Sequence, residues 1–236
     1  DRMTDDTVAL QNAIASLGAD GGMLLLPRGR YVFNQTIVLG RGQTLMGSGH
    51  EGATTLVYQG SGSAIDVDTG GALKNVRVEK YHASGWDGWD TTNPVSGVRM
   101  IGSWGRVEDI WIEGFEIGLF LYGNNVGCAY NQAFLRFIRN CLIGIKLDAE
   151  GTGWVNENSV YGGGITIESN KQGSPTWQAD SWGIYMNSSA TSPNNNKFFG
   201  VSIEGMNHGI RITGFYNSFY GPRIEIPGQL KVLFED

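Results

Sequence analysis

One ten-residue string recurs through this chain, and that recurrence constrains the fold more than any other feature. IEGFEIGLFL at 112–121 returns as IEGMNHGIRI at 203–212, and IRNCLIGIKL at 138–147 keeps the frame with Arg139 for Glu and Asn140 for Gly. Looser copies, VRVEK with SGVRM and GITIES with WGIYM, are each split by a long insertion. The glycine opening the second half of each unit falls at Gly97, Gly118, Gly144, Gly183 and Gly209, so the spacings are 21, 26, 39 and 26 residues. Self-similarity at such periods is the mark of a solenoid.

A second string decides between helical and β repeats. NSVYGGGIT from Asn158, NKFFGVSIE from Asn196 and NSFYGPRIE from Asn217 share an Asn, a large apolar pair, a Gly and a later apolar residue. These are short runs with period-two alternation, bounded by Gly and Asn, and no long 3.6-residue periodicity accompanies them. Each coil is therefore expected to hold two or three short strands, joined by turns where Gly and Asn accept left-handed backbone angles. Stacked coils bring equivalent positions to roughly 4.8 Å. The expected fold is all-β, a parallel β-helix.

Composition fits this reading. The chain has 36 Gly and only 6 Pro in 236 residues, which suits a fold that turns a corner every few residues, and 41% hydrophobic content is enough for a continuous core. No linker or low-complexity tract interrupts the pattern, so residues 1–236 are expected to form one domain. A net charge of −6 argues against a nucleic-acid partner, and no apolar run is long enough to suggest a membrane span. Cys141 takes the place of Phe115 and Met206 in its sister repeats and is expected to face the core. Both it and Cys128 read as free thiols. The chain opens at Asp1 without Met and stops on a strand-like KVLFED, which suggests a piece of something longer.

The first fifty residues carry a family resemblance. TDDTVALQNAIASLGADGGMLLLPRGRYVF followed by TLMGSG resembles the opening segment of the pectate lyase superfamily of right-handed β-helices. Physically, Thr4, Asp5 or Asp6 would N-cap a helix within residues 1–20 whose Leu10, Ile14 and Leu17 share a face, with Gly18 ending it. Such a helix would plug the open end of the coil stack. The paired aspartates are thus read as a capping device. The resemblance implies bacteriophage tailspikes and secreted polysaccharide-active enzymes as the company this chain keeps. It implies an extracellular or virion location, a bacterial polysaccharide as partner and a homotrimer in the intact protein. It does not name the chemistry, because hydrolases, lyases, epimerases and non-catalytic adhesins share the scaffold.

Outward positions must carry any function. In the strands beginning with the repeat glycine, the outward residue of successive coils reads Arg99, Phe120, Lys146, Tyr185 and Arg211, either a solvated face or a track for an anionic polymer. A second ladder reads Glu79, Glu113, Arg139, Thr166 or Glu168, Glu204 and Glu225. Like charges one coil apart repel, so an acidic stack is not a neutral choice, although a charge can also simply mark a strand end. The strand before Arg139, FLRFIR, does not alternate cleanly and is expected to be bulged.

Two insertions leave from the same corner, at about 80–96 and 168–182, and repeat proteins place such insertions on a binding face. They hold Trp86, Trp89, Trp177 and Trp182 with Asp87, Asp90 and Asp180 between them. Rings for the apolar faces of sugars and carboxylates for hydroxyls make these, with Arg139, the expected saccharide-binding residues; packing as a satellite core or against another subunit is the alternative. Glu79 and Glu113 are the expected catalytic pair, since neighbouring coils would bring their carboxyls toward the separation of about 5–5.5 Å used by retaining glycosidases. Glu204 and Glu225 form an equivalent alternative pair with no insertion beside them. Asn207-His208-Gly209 and Arg223-Ile224-Glu225 are poor matches to polygalacturonase elements, and His50 and His82 lack neighbours for a triad or a metal site. No cofactor or metal is expected. The resulting expectation is a polysaccharide-binding and polysaccharide-degrading β-helix, with a non-catalytic receptor-binding or structural spike segment as the alternative.

Overall fold

The computed structural model describes residues 4–49, 52–82, 93–168, 181–187, 189–226 and 230–235. Helix α1 (Thr7–Ala15) comes first, and every strand that follows pairs in parallel with the equivalent strand of the next coil. Two long sheets result. Sheet A takes two short strands from most coils, for example Ala72–Lys74 and Arg77–Lys80, which fuse into single eight-residue strands at Arg106–Glu113 and Gln132–Arg139. Sheet B takes one strand per coil, in the order Ile37–Leu39, Ser63–Val67, Ser96–Met100, Ile117–Asn124, Ile143–Glu150, Trp182–Met186, His208–Thr213 and Leu230–Glu235. A pair of short strands, Gly127–Ala129 and Trp154–Asn156, fills a further corner. The coil is a right-handed parallel β-helix, the hand taken by nearly all parallel crossovers.

Helix α1 closes the stack as the sequence pattern suggested. Leu10 and Ile14 are buried in the core with Leu26, Phe33 and Leu39, while Leu17 is half-buried. The cap comes from Asp5 rather than Asp6: Asp5 Oδ1 accepts hydrogen bonds from Thr7 N at 2.9 Å and from the Thr7 hydroxyl at 2.5 Å. Those bonds, the hydroxyl's first, hold the Asp5 carboxyl below the usual range. Asp6 instead ties the helix to the first coil, its Oδ2 accepting from Val32 N at 3.0 Å.

The register explains why the repeat is spelled as it is. Inward residues Val98, Leu119, Ile145, Ile184 and Ile210 stack in one column and are buried. The repeat glycines sit where sheet B meets the last inward residue of sheet A. A Cβ on Gly118 would lie 2.4 Å from Ile138 Cγ2, and one on Gly144 would lie 2.4 Å from Ile165 Cγ2 and 2.6 Å from the Gly183 carbonyl oxygen. Isoleucine and glycine are therefore complementary halves of one corner. Phe115, Cys141 and Met206 fill the same corner from below, each buried.

The Asn of the second string has a separate task. Asn131, Asn158, Asn196 and Asn217 form an interior ladder. Asn131 N and Nδ2 donate to Asn158 Oδ1 at 3.0 and 2.9 Å, and Asn158 N and Nδ2 donate to Asn196 Oδ1 at 3.1 and 2.9 Å. Asn196 repeats the pattern onto Asn217 at 3.0 Å for both bonds. Each amide thus satisfies buried corner backbone that strand pairing cannot reach. In the apolar pair that follows, the first side chain points in and the second, a ring, points out. The outward rings of Phe134, Tyr161, Phe199 and Tyr220 stack successively at 4.6, 4.9 and 4.7 Å.

Candidate functional site

The acidic ladder is real and its register settles its membership: Glu79, Glu113, Arg139, Thr166, Glu204 and Glu225 are successive partners on the outer face of sheet A. Thr166 takes the place left open between it and Glu168, which instead pairs with Arg139 across the corner. The register shift in the fused strands skips Arg136, inside FLRFIR as its irregular alternation suggested, and also Asp109 of the neighbouring strand, where no bulge was expected and φ is 53°. The bulge re-aims Arg136 onto Asp109 at 2.8 Å.

Glu79 and Glu113 share one guanidinium. Arg77 Nη2 lies 2.8 Å from Glu113 Oε2 and its Nε lies 3.4 Å from Glu79 Oε2, while Arg30 reaches Glu79 at 3.5 Å. Asn140 Nδ2 donates to the other Glu113 oxygen at 3.3 Å. Arg77 also lies over the Trp111 ring at 4.9 Å, with Arg139 over the same ring at 5.4 Å. Glu204 and Glu225 repeat the arrangement around Arg223, at 2.8 and 2.7 Å. In both places the repulsion between stacked carboxylates is offset by an arginine two residues before the second or first acid of the pair.

The outward column of sheet B is also charge-balanced. Its register runs Val38, Asp66, Arg99, Phe120, Lys146, Tyr185, Arg211, so a carboxylate precedes the residues that the sequence presented as cations and rings. Both Asp66 oxygens accept from Arg99, at 2.9 and 2.7 Å, and Lys146 pairs with Asp148 at 3.0 Å. Arg211 lies over the Tyr185 ring at 4.5 Å and contacts its hydroxyl. This pairing weakens the idea of a bare cationic track.

A cleft of about 420 Å³ opens where sheet B meets the two insertions, lined by Glu116, Ile143, Lys146, Trp182, Tyr185 and Asn187 among others. Its walls come from the stems of the insertions: Pro94 lies near the end of the first and Trp182 is the last residue of the second. Trp182 stacks on His208 at 4.3 Å and meets Tyr185 edge-on at 5.6 Å. Asn187 donates to Asp148 at 3.0 Å. Of the expected saccharide-binding residues, Trp182 lines this cleft, while Arg139 stands on sheet A. Trp86, Asp87, Trp89, Asp90, Trp177 and Asp180 lie outside the described residues, as does His50.

Sequence reasoning missed Glu116. It is buried, with Lys80 Nζ at 2.6 and 2.7 Å from its two oxygens and Val95 N donating to it at 3.1 Å. Lys80 opens the first insertion and Val95 lies at its close, so one carboxylate clamps the neck of that loop. The available signal was an acid between the core residues Phe115 and Ile117, a place where an unpaired charge would be costly. His82 adds a second stitch, its Nε2 lying 3.1 Å from the Gly114 carbonyl oxygen. Among the described residues no three His, Cys, Asp or Glu side chains are grouped to hold a metal.

At the far end of the sheet B strands a second cleft, of about 370 Å³, is lined by Asp68, Thr69, Arg99, Tyr122 and Asn124 with neighbouring backbone. Burial, and then the Glu150 carboxylate, push the Tyr122 phenol up to about 12, so it stays neutral.

Residues 1–66 match the family described as rhamnogalacturonase A/epimerase, pectate lyase-like. The chain is folded as a parallel β-helix, and the family likeness covers its first 66 residues. Among solved structures, this chain superposes on the enzymatically active domain of bacteriophage CBA120 tailspike protein 2 with a TM-score of 0.60, at 15% identity, covering 100% of this chain and 44% of that one. It also matches ORF18 of Geobacillus virus E2 (TM-score 0.48, 16% identity, 98% and 59% covered) and the A-module of mannuronan C-5 epimerase AlgE6 from Azotobacter vinelandii (0.47, 15%, 99% and 72%). At these identities the likeness is one of fold. The chain spans about half the length of the two viral proteins. A search of curated proteins gave no match. No helix among the described residues is long and apolar enough to cross a membrane.

Proposed function

We propose that this chain is the body of a polysaccharide-binding and polysaccharide-degrading β-helix of the tailspike kind, working outside the cell or on a virion and trimeric when intact. The observation that carries the reading is the cleft at Trp182: an aromatic and apolar hollow with Lys146, Asn187 and Tyr185 as polar contacts, placed between the stems of the chain's two corner insertions. Sugars present an apolar face and a rim of hydroxyls, and this combination of ring surface and a few converging polar groups suits them. The tryptophans and aspartates of the insertions, Trp86, Asp87, Trp89, Asp90, Trp177 and Asp180, would extend the walls. Glu116 is a positioning residue that fixes the neck of the first wall.

For the chemistry we carry forward Glu79 and Glu113, which stand immediately before that neck and on the neighbouring coil. Held on either side of Arg77, they would supply the acid and the second carboxylate that glycoside cleavage needs. A second reading, a binding module without turnover, is favoured by one specific observation: Glu204 and Glu225 make the same arrangement around Arg223 with no insertion beside them, as a purely structural device would. The test is release of reducing ends and of ultraviolet-absorbing unsaturated ends from a panel of bacterial capsules. Glu113→Gln is expected to lose at least about a hundredfold in turnover while glycan binding and melting temperature hold. Near-native activity in Glu113→Gln, with activity lost in Glu204→Gln or Glu225→Gln, would move the site along the solenoid. No activity in the native protein, with binding that Trp182→Ala abolishes, would establish the binding module.

A further inference from the structure

We propose that the corner bearing Trp104 and Tyr130, with the cleft beside it, is a second carbohydrate site, built for neutral glycan chains. The first observation is conformational. The residue just before each ladder Asn, or before Gly105, whose N–H donates to Asn131 at 2.7 Å, turns the same corner in successive coils, and Trp104, Tyr130, Glu157, Asn195 and Tyr216 all take it with left-handed φ, at 65°, 58°, 59°, 51° and 59°. Gly or Asn meets that demand at least cost, and a bulky aromatic meets it worst. Yet Trp104 and Tyr130 are 66% and 50% exposed, so neither is repaid by burial. Their rings stack on each other at 4.6 Å and 11°, giving a flat platform in water.

The second observation is the cleft of about 370 Å³ alongside. Gly102 of its lining is two residues from Trp104, and Gly127 is three from Tyr130. The half-exposed Trp154 packs directly on Gly127, where a Cβ would lie 2.3 Å from its ring, and so adds a third aromatic to the rim. The polar groups facing the cleft are Asp68, Thr69, Tyr122 and Asn124, which suit hydroxyls. Arg99 is the cation of this lining, and Asp66 already engages it at both oxygens. Asp148, paired with Lys146, and Glu150 stand opposite Tyr122 and Asn124 on the next strand, so Glu150 adds negative charge beside the lining. Ring platform, hydroxyl-binding groups and no uncommitted positive charge in the lining together describe a neutral sugar rather than a uronate or a phosphate.

The site is independent of the Trp182 cleft, so its test reads binding rather than turnover. Native gel electrophoresis would be run through dextran, pullulan and galactomannan as neutral probes and alginate and polygalacturonate as anionic ones. The variant is Trp104→Gly with Tyr130→Asn, residues that the left-handed corner prefers, so the fold is expected to be kept or strengthened. At least one neutral probe is expected to retard the native protein, more than either anionic probe does, and the double variant to weaken that retardation at least tenfold with an equal or higher melting temperature. Trp182→Ala is expected to leave it intact. No retardation by any neutral probe, stronger retardation by the anionic ones, or retardation unchanged in the double variant would overturn the proposal. So would a lower melting temperature with loss of self-association in sedimentation, which would show that the rings pack against protein.

Discussion

Replacing Asn158 with Ala should be among the most damaging single changes in this chain, although it alters no strand. The side chain is buried at 1% exposure, and all its hydrogen-bonding capacity is used. Its Oδ1 accepts from Asn131 N at 3.0 Å and Asn131 Nδ2 at 2.9 Å; its Nδ2 donates to the Cys128 carbonyl at 2.9 Å and to Asn196 Oδ1 at 2.9 Å. Truncation removes the acceptor of the Asn131 N–H and this donor to the Cys128 C=O, both out of reach of water. Asn131 Nδ2 keeps the Gly102 carbonyl at 2.8 Å, and Asn196 Oδ1 keeps the Asn158 backbone N–H at 3.1 Å. Two buried groups left unpaired at about 1–3 kcal/mol each give about 2–6 kcal/mol. At about 2–4 °C per kcal/mol for a chain this long, the melting temperature should fall by about 4–24 °C in a circular dichroism or calorimetric scan. Asn158→Asp, of nearly the same volume, should be no better, because it points a carboxylate oxygen at the Cys128 carbonyl and at Asn196 Oδ1. Asn217→Ala, at the half-exposed end of the ladder where water can substitute, should cost clearly less. A fall below about 3 °C for Asn158→Ala, or equal falls for Asn158 and Asn217, would refute the view that the ladder holds the corners.

Gly144→Ala is expected to lower the melting temperature as well, since its Cβ would sit 2.4 Å from Ile165 Cγ2 and 2.6 Å from the Gly183 carbonyl oxygen. Overpacking of about 1–3 kcal/mol exceeds the chain-entropy gain of about 0.4–1 kcal/mol from removing a glycine. Pairing it with Ile165→Ala should recover part of the loss in a double-mutant cycle, and strict additivity would count against the Ile–Gly corner. Burial pushes the thiols of Cys128 and Cys141 up to about 12, so at pH 8 both stay protonated in the folded state. A thiol-reactive chromogenic disulfide should therefore label neither in native protein and both in guanidinium; rapid native labelling would show an opening of the core.

Much of the fold was legible because a solenoid repeats its constraints. The repeat glycines and the alternation around them identified Val98, Leu119, Ile145, Ile184 and Ile210 as one inward column, and the register bears this out. Period-two patterning leaves little freedom, because a slip of one residue would turn every side chain to the wrong face. The capping helix was legible for a similar reason: Leu10 and Ile14 share a face, and Gly18 follows with φ at 65°.

What a side chain touches one or two coils away was not legible, because those partners lie 19 to 49 residues off in sequence. Lys80 meets Glu116 across 36 residues, Arg99 meets Asp66 across 33 and Arg30 meets Glu79 across 49. Alone, Arg99, Lys146 and Arg211 read as a cationic track; stacked beside Asp66, Asp148 and Tyr185, they read as a balanced surface. Glu113 by itself is an acid at a strand end, and only the neighbouring coil supplies the arginine that it shares with Glu79. Repetition along the chain therefore determined the coil, its inward columns and the corner where insertions depart. Tertiary stacking decided which charges cancel, which acid clamps a loop, and where rings stand open to solvent, because these depend on lateral neighbours whose spacing the insertions reset from coil to coil.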